Sequence, residues 1–518
     1  MPQRLPATPL PLFNSANTRA LEQAALAWHP QPSLMQRAGR ACAQLAQALA
    51  PHAQHMWVLC GPGNNGGDGL AAAAILAAQG RKVTLTWLGQ RERCSSDTLV
   101  ALQQAQNQAI HWSETPPPLQ PHDLIVDALR GLGLHSQAAA NPRIAALLQH
   151  SYASPATVLA VDLPSGLQAD TGLWQAGYAP QTPHHSPSHQ QRHTLSLLTL
   201  KPGLFTADGR DAAGQIWFDD LGLGQLPIAP PRPAPTAWLH HPAAPITAGL
   251  AARRHASHKG SFGDVLVIGG QGLQAGAAMQ GAAILAASAA LHHGAGRVFL
   301  HLLDHGQLQQ LPQTPEIMLR NQVTALAQLP SSTVVCGCGG GSSVAALLPK
   351  VLEHSARLLL DADALNAIAA DAMLRQRLKN RGAAGLPTVL TPHPLEAARL
   401  LNSSVPAVQA DRLAAAHTLA NTLDCTVLLK GSGSIIASPG EVPHINPTGN
   451  ALLATGGTGD VLAGMVAAHW ASMQNNVNSN AHHAACAGAY AHGAIADGWP
   501  AQRPLTAQAL ARTLARAC

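Results

Sequence analysis

Charge is scarce in this chain: Asp, Glu, Lys and Arg together make up 11% of 518 residues, low for a solvated surface. The formal net charge of +5 is spread out, with no dense Lys/Arg block, so the footprint of a nucleic-acid binder is missing. Cysteine is sparse as well. The eight Cys are scattered, with Cys336-Gly-Cys338 the one close pair. A reduced, cytoplasmic chain is therefore expected rather than a disulfide framework. Long apolar runs are also lacking, because His, Arg, Asp or Gly interrupts each one, and no membrane span is expected. Prolines in Met1-Pro-Gln-Arg-Leu-Pro break the N-terminus before a signal core develops.

What is present points to buried cores. Hydrophobic residues make up 47% of the chain, much of it Ala, and the length exceeds that of one ordinary domain. Histidine is abundant at 27, but doublets such as His184-His185 and His482-His483 sit in Pro- or Asn-rich stretches. Without zinc-type spacing to Cys or carboxylates, they are expected on solvated loops.

Residues 17 to 50 read as helical. Met56–Cys60 then forms a short apolar strand entering Gly61-Pro-Gly-Asn-Asn-Gly-Gly-Asp-Gly69, an Ala-rich helix follows, and strands recur at 82–88, 123–127 and 157–162. Strands alternating with helices predict a parallel sheet covered on both faces. Residues 179–193 are expected to form an exposed loop, and the Pro-rich stretch from 225 a linker. The alternation resumes at 264–270, 297–303, 333–336, 358–361, 388–391 and 426–430, while 474–480 reads as a surface loop. The expected organisation is a first domain over 1–224, a linker over 225–247 and a second α/β domain over 248–518.

Chemistry concentrates at strand ends, where open parallel sheets bind ligands. In the first half these are Asn64-Asn-Gly-Gly-Asp68, Asp127 with Gly131-Leu-Gly133, and Asp162-Leu-Pro-Ser-Gly166. Glycines admit a phosphate-bearing ligand closely, Asn65, Asp127 and Ser165 offer hard oxygens to a monovalent or divalent cation, and Asp162 can exchange a proton. Near the other end lies Thr448-Gly-Asn-Ala-Leu-Leu-Ala-Thr-Gly-Gly-Thr-Gly-Asp460, followed by an apolar run. A helix starting at Gly459 or Asp460 would aim its positive end at the turned N–H groups. A carboxylate in such an anion pocket points to phosphoryl transfer with Asp460 as base; a Gly-rich turn closed by a helix-capping Asp is the other reading.

Two families resemble these patterns. The 61–69 block, Val161-Asp-Leu-Pro-Ser-Gly166 with Asp170-Thr-Gly172, and Leu200-Lys-Pro-Gly203 resemble the N-terminal domain of the NAD(P)H-hydrate epimerases over roughly residues 10–224. That resemblance implies a Rossmann-like three-layer α/β/α domain binding NADHX or NADPHX and a potassium ion. The ion would meet Asn65, Asp127 and Ser165. Substrate would meet Asn64, Asn65, Gly66, Gly67, Asp68, Gly131, Leu132, Gly133, Leu134, His135, Ser136, Gln137 and Asp162, the last as acid/base. Arg130 and Leu132 depart from the usual aromatic and small hydroxyl residues of that loop.

The second half is similar to the ADP-dependent NAD(P)H-hydrate dehydratases. The matching order is Ser257-His-Lys-Gly260, Gly294-Ala-Gly296, Gly337-Cys-Gly-Gly-Gly341, Asp361-Ala-Asp-Ala-Leu-Asn366, Thr391-Pro-His-Pro-Leu-Glu396, Lys430-Gly-Ser-Gly-Ser434 and the block ending at Asp460. The resemblance implies a ribokinase-like α/β fold with ADP as phosphoryl donor and Mg2+ beside it. Lys430, Gly431, Ser432, Gly433, Ser434 and Gly459 would line the nucleotide, and Ala282, Gly341, His393 and Asp460 the hydrate. Cys338 stands where the family often has proline, and the 271–279 segment is longer than usual. Together the two resemblances imply a fused repair enzyme, expected to be a homo-oligomer. The competing expectation is a small-molecule kinase of the same fold fused to a non-catalytic Rossmann-like binding module.

Overall fold

The computed structural model describes residues 1–27, 31–133, 139–181, 191–225, 233–242, 255–273, 277–303, 311–473 and 481–515. Two compact units divide the chain: Met1–Ala7 with Pro11–Ala237, and Thr8–Leu10 with Trp238–Cys518.

In the first unit an 8-stranded sheet runs in the order Gln3–Arg4, Gln215–Asp219, Arg192–Leu197, Thr157–Val161, Leu124–Ala128, Met56–Cys60, Val83–Trp87 and His111–Trp112. All neighbours are parallel except the pair of Gln3–Arg4 with Gln215–Asp219. The central strands are almost entirely buried because both faces are covered, and Met56–Cys60 is apolar throughout. Met56, Val58 and Cys60 pack with helices Leu34–Leu49 and Asn64–Ala78, while Trp57 and Leu59 pack with Pro142–Ala153. This is the three-layer arrangement expected.

Local differences have plain causes. The helical stretch read over 17–50 is two helices, Ser15–Leu26 and Leu34–Leu49, because Pro30 and Pro32 cannot continue a helix interior. Ser33 and Gln36 then close a capping box on the second. The stretch assigned to a loop over 179–193 already enters a strand at Arg192, and residues 182–190 lie outside the described residues. Within the linker read over 225–247, Ala237–Leu239 forms a strand whose Trp238 and Leu239 pair with His444 and Ile445. Its apolar residues can be buried in a sheet edge once past the prolines. Residues 474–480, read as a surface loop, also lie outside the described residues.

The sheet order places Met56–Cys60 between the strands that follow it, so the chain leaves it on opposite sides and a crevice opens at its carboxyl end. Gly61 sits at that opening, with its N–H bonded to Ala128 O at 3.0 Å. A Cβ at Gly61 would stand 1.8 Å from Leu129 O, so no side chain fits. We predict that Gly61→Ala lowers stability by about 1–3 kcal/mol through overpacking, read as a fall in the unfolding midpoint; an unchanged midpoint would refute the close approach.

The second unit repeats this logic. Parallel neighbours run Met318–Leu319, Arg297–Leu302, Asp264–Gly269, Thr333–Cys336, Arg357–Leu360, Thr388–Leu390 and Thr426–Leu429. Ile435–Ala437 and His444–Ile445 then add antiparallel edges that the sequence pattern did not announce. The short Lys430–Ser434 connection leaves no room for a crossover helix, so it must be a hairpin. Helices Gln280–His292, Thr458–Ser472 and Ala481–Asp497 cover one face through Val265, Val335 and Leu359. Leu266, Val334 and Leu358, pointing the other way, are equally buried. Among the described residues no helix is long and apolar enough to cross a membrane.

Candidate active sites

In the first unit the Gly-rich block is itself the start of a helix. Asn64–Ala78 begins at Asn64, earlier than the sequence suggested, and its N-cap Gly63 supplies no side chain. First-turn N–H groups have no intrahelical acceptor, so they face the crevice free to bind an anion. A cavity of ≈ 690 Å³ opens there, with Glu22, Asn64, Asn65, Asp68, Asp162 and Lys201 among its lining. Gly131, Leu132 and Gly133 border it too. Leu134, His135, Ser136 and Gln137 lie outside the described residues. Gly66 and Gly67 are buried in the helix start, where Gly66 allows close packing on Gly61.

Asp162 ends its strand with φ 68, a left-handed conformation that costs a non-glycine residue energy and marks a constrained position. Its carboxylate is ion-paired with Lys201. The fully buried Lys201 ammonium also donates to Leu197 O at 2.8 Å. Around this pair stand two more acids. Burial, then the charge of Asp162, pushes Glu22 up from its usual pKa. Burial, then Asp162 and Glu22, pushes Asp68 well up. Asp162 thus holds the buried ammonium, while Asp68 and Glu22 stand near enough to feel the charges of the pair, an arrangement suited to passing a proton.

Beside it lies a second polar group. Ser165 donates to Asp127 through its Oγ at 2.6 Å and its N–H at 3.0 Å, and the Arg130 N–H donates to Ser165 Oγ at 2.8 Å. Burial raises the Asp127 pKa against these hydrogen bonds. Asn65 packs on the same loop: a Cβ at Gly131 would stand 3.2 Å from Asn65 Cγ. Among the described residues the Asn65 Nδ2 is buried without a partner.

In the second unit the Gly-rich block again opens a helix, Thr458–Ser472, one residue before the expected start. Its N-cap Gly457 has φ 91 and offers no side-chain cap, leaving the first-turn N–H groups open. Asp460 lies in that first turn. Burial, then the charge of Asp361, raises its pKa to about 6. Lys430 Nζ contacts Asp361 Oδ1 at 2.8 Å, which also accepts from Thr391 Oγ1 at 2.8 Å. A Cβ at Gly459 would be 3.4 Å from Lys430 Nζ, which puts the ammonium at the helix N-terminus. Burial opposes the Lys430 charge, but Asp361 and Glu396 outweigh it and raise its pKa. Glu396, mainly through burial, is pushed up to about 7.

The other expected residues surround this centre. The Gly341 N–H donates to Asp363 Oδ2 at 2.8 Å. His393 caps helix Pro394–Leu400 and lies 3.2 Å from Glu396 Oε1. Burial lowers the His393 pKa, so it is neutral near pH 7. Ala282 packs against Gly339 and has no polar tie to Asp460. Gly431, Ser432, Gly433 and Ser434 form the hairpin loop, with φ 144 at Gly431 and φ 63 at Gly433. Buried Arg412 reaches the carbonyls of Lys430 and Gly433 at 3.4 Å and props that loop.

Sequence reasoning gave no role to Lys201, Glu22, Asp361, Glu396 or Arg412. Lys201, Asp361 and Glu396 stood inside quoted motifs, whereas Glu22 and Arg412 lie on helices with no local signal. The reading of His482 as part of a solvated loop is corrected. It is 1% exposed within helix Ala481–Asp497, because the Ala-rich sequence after Asn480 buries nearly all of that helix.

Comparison with known proteins covers both units. A family model described as YjeF-related protein N-terminus matches residues 31–203, and one described as NAD(P)H-hydrate dehydratase matches residues 265–516. The bifunctional NAD(P)H-hydrate repair enzyme Nnr of Escherichia coli (strain K12) is 36% identical over 472 residues, 90% of this chain and 84% of that protein. The ADP-dependent (S)-NAD(P)H-hydrate dehydratase of Neisseria meningitidis serogroup B is 41% identical over 251 residues, covering 48% of this chain and 80% of its own. A solved ADP/ATP-dependent NAD(P)H-hydrate dehydratase from Bacillus subtilis, co-crystallised with ATP/Mg2+, is 25% identical over 52% of this chain and 95% of its own, with a TM-score of 0.37. With both halves matched in one order and along most of its length, the chain belongs to the family of bifunctional NAD(P)H-hydrate repair enzymes.

Proposed function

We propose that the first unit interconverts the R and S forms of NADHX and NADPHX, and that the second dehydrates the S form to NADH or NADPH using ADP. The observation that carries this reading is Asp460 on an uncapped helix start, its pKa raised to about 6, beside Lys430 and Asp361. Hydroxide is a poor leaving group from the hydrated ring, whereas phosphate is a good one. Asp460 takes the proton of the ring hydroxyl, whose oxygen attacks the β-phosphoryl group of ADP. The new O–P bond forms as the bond to AMP breaks. The ring nitrogen lone pair then expels phosphate, and proton loss from the adjacent carbon restores the dihydronicotinamide. First-turn N–H groups near Gly459, with the Lys430 ammonium, stabilise the charge on the transferring group.

Two ions belong to this reading. The chain fits K+ at Asn65, Asp127 and Ser165: the donors are oxygens and the Asp127 carboxylate is deeply buried. K+ would there neutralise the Asp127 carboxylate and hold the 129–131 loop. Asp361, gathered with Cys338 and Asp460, fits Mg2+, which takes one or two carboxylates plus phosphate oxygens and would neutralise phosphate charge there, leaving Asp460 to the hydroxyl. In the first unit Asp162 serves as acid/base at the hydrated ring carbon, oriented by Lys201. The uniformly free described cysteines agree with work in the cytoplasm.

The test mixes purified S-hydrate with ADP and the protein and follows reappearance of dihydronicotinamide absorbance. A stable phosphorylated product without that absorbance would favour the kinase reading. Acceleration of R-to-S exchange in K+ tests the first unit, and no acceleration would refute it. Asp460 acts as base only when ionised, so the dehydration rate should climb as pH rises through about 6 and level off above 7. A flat profile between pH 5 and 7 would remove Asp460 from that role.

A further inference from the structure

The second unit holds a cluster of histidines that the proposed chemistry does not use. His240 follows strand Ala237–Leu239, His444 opens strand His444–Ile445, and Cys486 lies in helix Ala481–Asp497. One nitrogen of each His and the Cys486 sulfur all lie within 4.8 Å of one another. His240 and Cys486 are buried, at 9% and 1% exposure. The two Nδ1 atoms are 3.3 Å apart. That is longer than the roughly 2.7–3.2 Å of a well-formed hydrogen bond. Two imidazole nitrogens at about 2.0–2.1 Å from one tetrahedral ion would stand about 3.3 Å apart.

The surroundings also favour a ligand set over a core hydrogen bond. Among the described residues His240 Nε2 is buried with no hydrogen-bond partner. The ring of His482 stands 4.8 Å from that of His444, and its Nδ1 is 2.9 Å from Ser438 Oγ, which in turn lies 2.9 Å from Thr426 Oγ1. That chain fixes the His482 ring edge-on against His444, one of the three clustered side chains.

We propose that His240, His444 and Cys486 form a binding site for one borderline-soft divalent ion of the zinc type, with a fourth position for water. Two imidazoles and a thiolate select such an ion over Mg2+ or Ca2+. On binding, the Cys486 thiol loses its proton to solvent and the sulfur bonds the metal; no electron is transferred. The ion ties helix Ala481–Asp497 to the sheet edge, through residues more than forty positions apart, so its role is structural.

Titrating chelator-treated full-length protein with Co2+ tests this. One equivalent is expected to give visible bands of a four-coordinate ion and a near-ultraviolet thiolate-to-cobalt band, both bleached by Zn2+. Cys486→Ser should lose the near-ultraviolet band, and His444→Ala should weaken Co2+ binding at least about tenfold. X-ray absorption of the unaltered protein with one Zn2+ should show a sulfur at about 2.3 Å and nitrogens at about 2.0–2.1 Å, so the answer does not depend on variants folding. Absence of sulfur from that shell, or Co2+ spectra identical in both variants and the parent, would overturn the proposal.

Discussion

Replacing Asp460 by Asn is expected to slow dehydration by about 10²–10⁴-fold while leaving ADP binding largely intact. The side chain keeps its size and position at the start of Thr458–Ser472 but can no longer accept the hydroxyl proton. Stability should move the other way. A carboxyl whose folded pKa is raised binds protons more readily folded than unfolded, so ionisation opposes folding as pH rises from about 4 through 6. Asn carries no such charge, and the variant should unfold at pH 7 no earlier than the parent. Single-turnover rates with S-hydrate and ADP, together with thermal unfolding at pH 7, read the two effects separately. Turnover within a few-fold of the parent would exclude Asp460 as the base, and a lowered melting point would mean that the loss was structural.

The second large effect concerns Lys201, whose ammonium is wholly buried and shared by Asp162, the Leu197 carbonyl and Ser196. Lys201→Met removes the charge but keeps most of the packing, leaving the Asp162 carboxylate without its cation among Asp68 and Glu22. Breaking a buried pair from one side costs about 3–5 kcal/mol, because the remaining charge is stranded. Denaturant unfolding of the full chain should show that loss in the first unit's transition, with R-to-S exchange falling in parallel. The double variant Lys201→Met with Asp162→Leu should regain stability but not exchange. If Lys201→Met behaved like Lys82→Met at a surface position, the pair would have no part in organising the site.

Much of both sites was legible because their parts are local. A strand end, a Gly-rich turn and the start of a helix are one continuous stretch, so residues 61–69 and 448–460 announced themselves by spacing alone. The parallel character of the sheets was readable for the same reason, since alternation with helices permits little else, whereas the strand order was not. The hairpin after Lys430 was missed, as its strands are too short to show a period. His482 was misplaced because its polar neighbours, not the Ala-rich run behind it, dominated the reading.

By itself, then, the sequence determined the fold class and singled out polar residues beside glycine-rich turns, Asp162 after a strand and Asp460 at a helix start, as the candidates for chemistry. Tertiary structure decided which charges meet. Glu22 feels Asp162 and Lys201 from a helix near the start of the chain, and Asp361 from a strand end and Glu396 from the start of a helix meet Lys430. His240, His444 and Cys486 gather from three distant segments. Such encounters leave no spacing to read. Their pKa values and ligand geometry arise from burial and distance, which exist only once the sheet has brought remote strand ends side by side.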